Sequence, residues 1–156
     1  MSQGLPPIAE LLPQRGAMRL LGRVIDHDGE ATRCAVDPGA GALFAEANGR
    51  IPVWLALEWM AQCAAVDGAL RLRAEGAEGP PPPGLLLGSR SLRFREPWLE
   101  RAQALEVRAR RASGRGRRFA FDCELCDGAG GEPLAAGRIN VLLADDLPGT
   151  GGGRRG

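Results

Sequence analysis

The chain has 156 residues, 44% hydrophobic and 25% charged, with a formal net charge of +1. That length and balance suit one globular domain with a real core, and near-neutrality removes any global electrostatic case for nucleic acid. All 20 basic residues are arginine; beside so much Ala, Gly and Pro this is read as coding bias before any phosphate-binding surface.

In chain order, the opening MSQGLPPIAELLPQRG has no basic segment followed by an apolar run, so no secretory signal is expected. A cytoplasmic protein follows, with Cys34, Cys63, Cys123 and Cys126 as reduced thiols. Residues 5–12 suit a short helix after Pro6-Pro7. Residues 19–26 are expected as a strand, Asp28-Gly29 as a turn, and residues 32–36 as a returning strand. Residues 37–50 are Gly- and Ala-rich and irregular, with Phe44 as their anchor.

The stretch 52–72 is helix-like and apolar around nearly its whole circumference. Pro52 suits a first helical turn, where its missing N–H costs nothing. Arg71 and Arg73 suit a helix C-terminus, and Gly68 lowers helix propensity near the end. The stretch is long enough to span a bilayer, but Glu58, Gln62 and Asp67 within it argue against a membrane. Residues 74–84, with four consecutive prolines, form a surface connection.

Four further strands are expected at 85–94, 104–112, 117–126 and 133–143, with a bend at Arg95-Glu96-Pro97-Trp98 and hairpin loops at 113–116 and 127–132. Leu105, Val107 and Ala109 alternate with charged residues, and Phe119, Phe121 and Cys123 do likewise, so one face of each strand is wet. Residues 1–147 make one domain, and 148–156 a disordered tail with no core-forming residue. An apolar helix must be covered on most sides. A curved antiparallel sheet wrapped around one long central helix, the α+β hotdog arrangement, would cover it.

Glu58 is the conspicuous residue. It and Gln62, four positions on, are the polar side chains in the first half of that helix, and they share one face. A lone carboxylate on such a helix is costly to bury ionised, so it is paired, neutralised, or kept for chemistry. Cys123 and Cys126 have metal-like spacing but lie on a strand without a second pair, so no metal site is expected. The arginines of 108–118 are a solvated strand face or a docking patch for an acidic partner.

Three segments resemble the beta-hydroxyacyl-ACP dehydratases. Residues 11–24 (LLPQRGAMRLLGRV) resemble their opening "LPHR-x-P-x-LLLDRV". Pro52 with Leu57-Glu58-Trp59-Met60-Ala61-Gln62 resembles the helix motif "P…(V/I/L)E-x-MAQ", and Leu92-Arg93-Phe94-Arg95-Glu96-Pro97 the strand motif "x-F-R-x-P". Within that group the chain is most similar to the ApeP-like branch, whose "GxxPxWxxxExMAQ" aligns with residues 49–62 and whose "aGRiNv" aligns with residues 136–141.

The resemblance implies dehydration of a 3-hydroxyacyl thioester to the trans-2-enoyl thioester. The substrate would ride on the phosphopantetheine of an acyl carrier protein, with no metal or redox cofactor. It also implies a homodimer, or a heterodimer with another hotdog protein, formed through sheet edges. Glu58 would protonate or position the departing 3-hydroxyl. Backbone N–H groups at the helix start, near Val53 and Trp54 after Pro52, would polarise the thioester carbonyl. Gln62 lies beside the same pocket and is expected as a hydrogen-bonded helix glutamine at the dimer contact.

The base is the difficulty. Where the main family has the histidine of a "GHFPG" loop this chain has Phe44, and where the ApeP-like "LPH" has its histidine this chain has Gln14. A glutamine accepts no proton at neutral pH. The single histidine, His27, is expected in an exposed hairpin turn far from the helix. Two rival readings therefore stand beside the dehydratase: a catalytically degenerate hotdog protein that binds acyl-ACP or completes a heterodimer, and an acyl thioesterase.

Overall fold

Apolar and charged residues alternate through much of the chain, and these segments become strands. The computed structural model describes residues 4–100, 104–128 and 131–144; the tail expected at 148–156 lies outside them. After the short helix α1 (Ile8–Leu11) come β1 (Leu21–His27), β2 (Ala31–Val36) and the two-residue β3 (Ile51–Pro52). A 3-10 turn, Val53–Leu55, leads into α2 (Ala56–Ala74). Then follow β4 (Gly84–Phe94), β5 (Trp98–Leu99), β6 (Leu105–Arg115), β7 (Arg118–Asp127) and β8 (Ala135–Leu143).

Six strands form one antiparallel sheet in the order β1-β2-β6-β7-β8-β4. Along β6 the buried positions are Leu105, Val107 and Ala109, and along β7 they include Phe121, Cys123 and Leu125. This inner face meets α2, whose Trp59, Met60, Cys63 and Val66 are fully buried in the same core. Each such large side chain stabilises the fold by about 1.5–3 kcal/mol through burial. The result is the expected hotdog arrangement, a sheet around one long helix. No helix among the described residues is long and apolar enough to cross a membrane.

Three local features differ from expectation. The expected loop at 113–116 is mostly strand: Gly114 pairs with Phe119 and Arg115 with Arg118, which leaves a two-residue turn at Gly116-Arg117. Gly114 belongs there because a Cβ would lie 2.6 Å from the Phe119 ring, and Gly116 supplies the turn's positive φ of 60°. Pro52 ends β3 instead of opening the helix, which begins at Ala56 after the 3-10 turn. The bend at 95–98 runs into β5, which pairs with β3 (Ile51 with Leu99, Pro52 with Trp98) and so clamps the helix entry.

Strand β4 stands at the end of the sheet, paired to β8 along one edge only. Its Leu85, Leu86 and Leu87 are 43%, 40% and 52% exposed. A long exposed apolar edge is a surface that proteins ordinarily cover.

Candidate active site

A cavity of about 150 Å³ lies between α2 and the inner face of the sheet. Its helix wall is Glu58, Ala61, Ala65, Gly68 and Leu72, a stripe set by the 3.6-residue period. The stripe is built of small residues, which leaves room there. Across it stand Leu86, Phe119, Phe121 and Val141. The polar residues of the lining are Glu58, Gln62, Gln14 and Arg111.

Glu58 is half-buried and opens onto this cavity. Gln62 Nε2 donates to Glu58 Oε1 at 3.3 Å. The rest of the Gln62 amide serves the backbone: Nε2 also donates to the Met18 carbonyl at 2.9 Å, and Oε1 accepts from Leu20 N–H at 2.9 Å. Gln62 thus fastens the strand-entry segment to α2 and holds one rotamer of Glu58, as a hydrogen-bonded helix glutamine should.

Gln14 occupies the cavity wall on the segment that Gln62 fastens, and its Oε1 is buried without a partner. Leaving such an acceptor unpaired costs about 1–3 kcal/mol.

The structure does not bring the other expected residues into this cavity. Phe44 and Trp54 pack edge to face, 5.9 Å between centroids, with Trp54 55% exposed. Pro52 and Val53 are buried at the helix entry, and none of the four lines the cavity. Val53 N–H donates to the Pro97 carbonyl at 3.1 Å, so that donor of the helix start is already taken.

A second polar cluster sits farther along α2. Asp67 is fully buried; its Oδ2 accepts from Arg71 Nε at 2.7 Å and its Oδ1 from Thr32 Oγ1 at 2.9 Å. Arg111 Nη2 lies 3.4 Å from Oδ2. His27 belongs to this cluster, contrary to the expectation of an exposed, distant turn. Its side chain is 16% exposed, with Nδ1 2.8 Å from Thr32 Oγ1 and 3.8 Å from Asp67 Oδ1. Since Thr32 gives its hydroxyl hydrogen to Asp67, His27 Nδ1–H is the donor to Thr32. Asp67 is nine residues beyond Glu58, about 14 Å along the helix axis, so neither it nor His27 reaches a substrate at Glu58.

The cysteines offer no nucleophile. Burial pushes the Cys63 and Cys123 thiols well up from their ordinary value, and that of Cys126 less so. Thiols so placed stay protonated.

The model of the ApeP-like family, described as ApeP dehydratase, matches residues 6–150. The chain belongs to the ApeP-like dehydratase family. Among solved structures, this ApeP-like chain is similar to one from the dehydratase heterocomplex ApeI:P of Xenorhabdus doucetiae, with 26% identity, a TM-score of 0.82, and coverage of 91% of this chain and 93% of that one. It shares its fold with a mutant thioesterase of Pseudomonas aeruginosa at 13% identity and TM-score 0.57, covering 78% of this chain and 79% of that one. The zebrafish thioesterase superfamily member 2 is likewise similar in fold, with 11% identity, TM-score 0.59, and coverage of 78% and 80%. No curated protein matches the chain.

Sequence reasoning overlooked Arg111 in this ApeP-like site. The signal was present: Leu105, Val107 and Ala109 mark the inward register of β6, and the next inward position is 111. Arg108 and Arg110 lie on the opposite, exposed face, in register with Glu124 and Asp122 of β7.

Proposed function

We propose that this chain is one subunit of a 3-hydroxyacyl-ACP dehydratase. In this reading it is joined edge to edge with a second hotdog protein that supplies the base. One observation carries the reading: Glu58 faces an apolar cavity, while the chain's single histidine is engaged with Thr32 and Asp67 elsewhere. The cavity lining carries a carboxyl group and no histidine. The exposed edge of β4 and the similarity to a dehydratase heterocomplex support a second chain as its source.

In this mechanism the acyl chain lies along the small-residue stripe of α2, and the carrier's phosphopantetheine holds the thioester near Glu58. The partner's base takes the α-proton, the C2–C3 double bond forms, and the C3–O bond breaks. Glu58 gives its proton to the departing hydroxide, which leaves as water. Gln62 holds the Glu58 carboxyl in place, and the Gln14 side chain walls the acyl-binding cavity beside them. The balance asks for no metal and no redox cofactor.

Mixing the purified chain with candidate hotdog partners and a 3-hydroxyacyl-ACP tests the proposal. Enoyl-thioester formation should appear only on mixing. Full turnover by the chain alone would remove the need for a partner's base, and release of free thiol in place of enoyl product would indicate thioester hydrolysis. The unpaired acid also suits a subunit that binds the acyl chain without taking part in chemistry; Glu58→Gln in the mixed complex distinguishes the two, because only a catalytic subunit then loses turnover.

A further inference from the structure

The outermost strand, β4, carries charge as well as leucines. Arg90 pairs with Arg138 of β8 and Arg93 with Ala136, so β4 holds one extra residue between its two arginines. That bulge puts Arg90 and Arg93, three positions apart, on the same outer face of the sheet. Ser91 takes a left-handed φ of 54° within it. Gly137 makes room opposite, since a Cβ there would lie 2.9 Å from Leu92 Cα. A strained turn of backbone thus accompanies two exposed cations held side by side at the sheet edge.

The neighbouring strands add to this charge. The groove over Arg90 and Arg93 is also lined by Arg108, Arg110 and Arg138, against Asp122 and Glu124. Asp122 is already engaged, accepting from Arg138 at 2.8 and 3.0 Å, and Glu124 stands opposite Arg108. A second groove, beside Leu87, is lined by Arg90, Arg115, Arg118 and Arg138 and by no carboxylate. Guanidinium groups outnumber carboxylates along this edge in a chain whose net charge is only +1.

The edge is therefore poorly suited to a copy of itself. An antiparallel pair made by the whole of Gly84–Phe94 and the same strand of a second copy is centred on Ser89. Arg90 then stands opposite Gly88 of the copy, and the two Arg90 residues become diagonal neighbours about 7–8 Å apart. They share the outer face, where like charges repel. Arg93 meets Leu85 of the copy. Sliding the pair to centre on Leu86 separates the arginines but leaves only residues 84–88 in the ladder. We propose that these arginines make the β4 edge choose its partner by charge: it disfavours a second copy of this chain and accepts an edge strand flanked by carboxylates on its outer face. This rests on the two-subunit reading above.

The test uses a charge-reversed copy of the chain as the probe. Sedimentation is measured for wild type, for Arg90→Glu and for their equal mixture, at about 50 mM and about 500 mM salt. At low salt the mixture should associate about tenfold more tightly than wild type alone, and at high salt the difference should vanish. Arg90→Gln removes the repulsion without reversing it, so its self-association should exceed that of wild type at low salt; it decides the matter if the Glu variant does not fold. A mixture that associates no more tightly than wild type overturns the proposal, as does salt-sensitive binding of these arginines to an acyl carrier protein while the mixture stays monomeric. Arg90→Glu should also weaken assembly with the hotdog partner that brings activity on mixing. Unchanged assembly and activity there overturn the charge selection and leave the two-subunit reading intact. Activity with no partner at all removes that reading, and the partner assigned here falls with it.

Discussion

At the scale of single residues, the site turns on two neighbours one helical turn apart. Glu58→Gln keeps the shape of the side chain but replaces the carboxyl group with an amide that cannot act as an acid. In the mixed complex it should lower dehydration by about a hundredfold or more, with an unchanged melting temperature; turnover at the wild-type rate would exclude Glu58 as the acid. Gln62→Ala is expected to act differently. It strands the Leu20 N–H and the Met18 carbonyl, so the loss should appear in stability, about 1–3 kcal/mol by denaturant titration. The buried thiols set a pH limit of their own. Cys63 and Cys123 have folded pKa values raised above the ordinary 9.0 by burial. Below pH 9 both states hold these protons and nothing is lost. Above it the unfolded chain ionises first, and stability should fall by about 1.4 kcal/mol per pH unit per thiol. Melting curves from pH 8 to about 10.5 would show this, and Cys123→Ala should flatten the slope.

At the scale of elements, α2 is held to the sheet by a core and by one charge cluster. Asp67 joins the helix to β2 through Thr32 and to β6 through Arg111. Asp67→Ala leaves Arg71 and Arg111 facing each other around an empty position, and should cost about 3–5 kcal/mol, as removing one partner of a buried pair does; a melting temperature within a degree of wild type would contradict the cluster's structural role. The β6–β7 hairpin depends on close approach. Gly114→Val would drive side-chain atoms into the Phe119 ring, with an expected loss of about 1–3 kcal/mol from overpacking. Phe119 also lines the cavity, so the same substitution should weaken acyl-thioester binding.

At the scale of the whole molecule, the sheet ends on a strand that exposes three consecutive leucines. If that edge joins a second hotdog protein, Leu87→Glu should block assembly in gel filtration and abolish the activity that appears on mixing. The isolated chain should melt as wild type does, because Leu87 is half-exposed there. Assembly that persists in this variant would move the interface elsewhere.

Much of this architecture was legible from local signals. The alternation at residues 105–109 and 119–123 located two strands and their buried faces, and the apolar stretch with Glu58 and Gln62 located the helix and the carboxyl group that lines its cavity. Failures arose where a partner distant in sequence decides the outcome. Gly114 looked like a loop residue because its reason for being in a strand is the facing Phe119 ring. Pro52 looked like a helix start because its β-pairing partner, Trp98, lies 46 residues away. His27 looked exposed because only folding brings Asp67 beside it.

The sequence by itself determined the kinds and order of the elements, since apolar periodicity and turn chemistry act over a few residues. It also singled out Glu58, because a carboxylate on an apolar helix is anomalous whatever surrounds it. The tertiary structure decided which polar groups share a cavity with that carboxylate: Gln14 and Arg111, with buried atoms left unpaired, and neither Phe44 nor Trp54. Those placements depend on long-range strand register and on how the sheet meets the helix, and no local pattern encodes them.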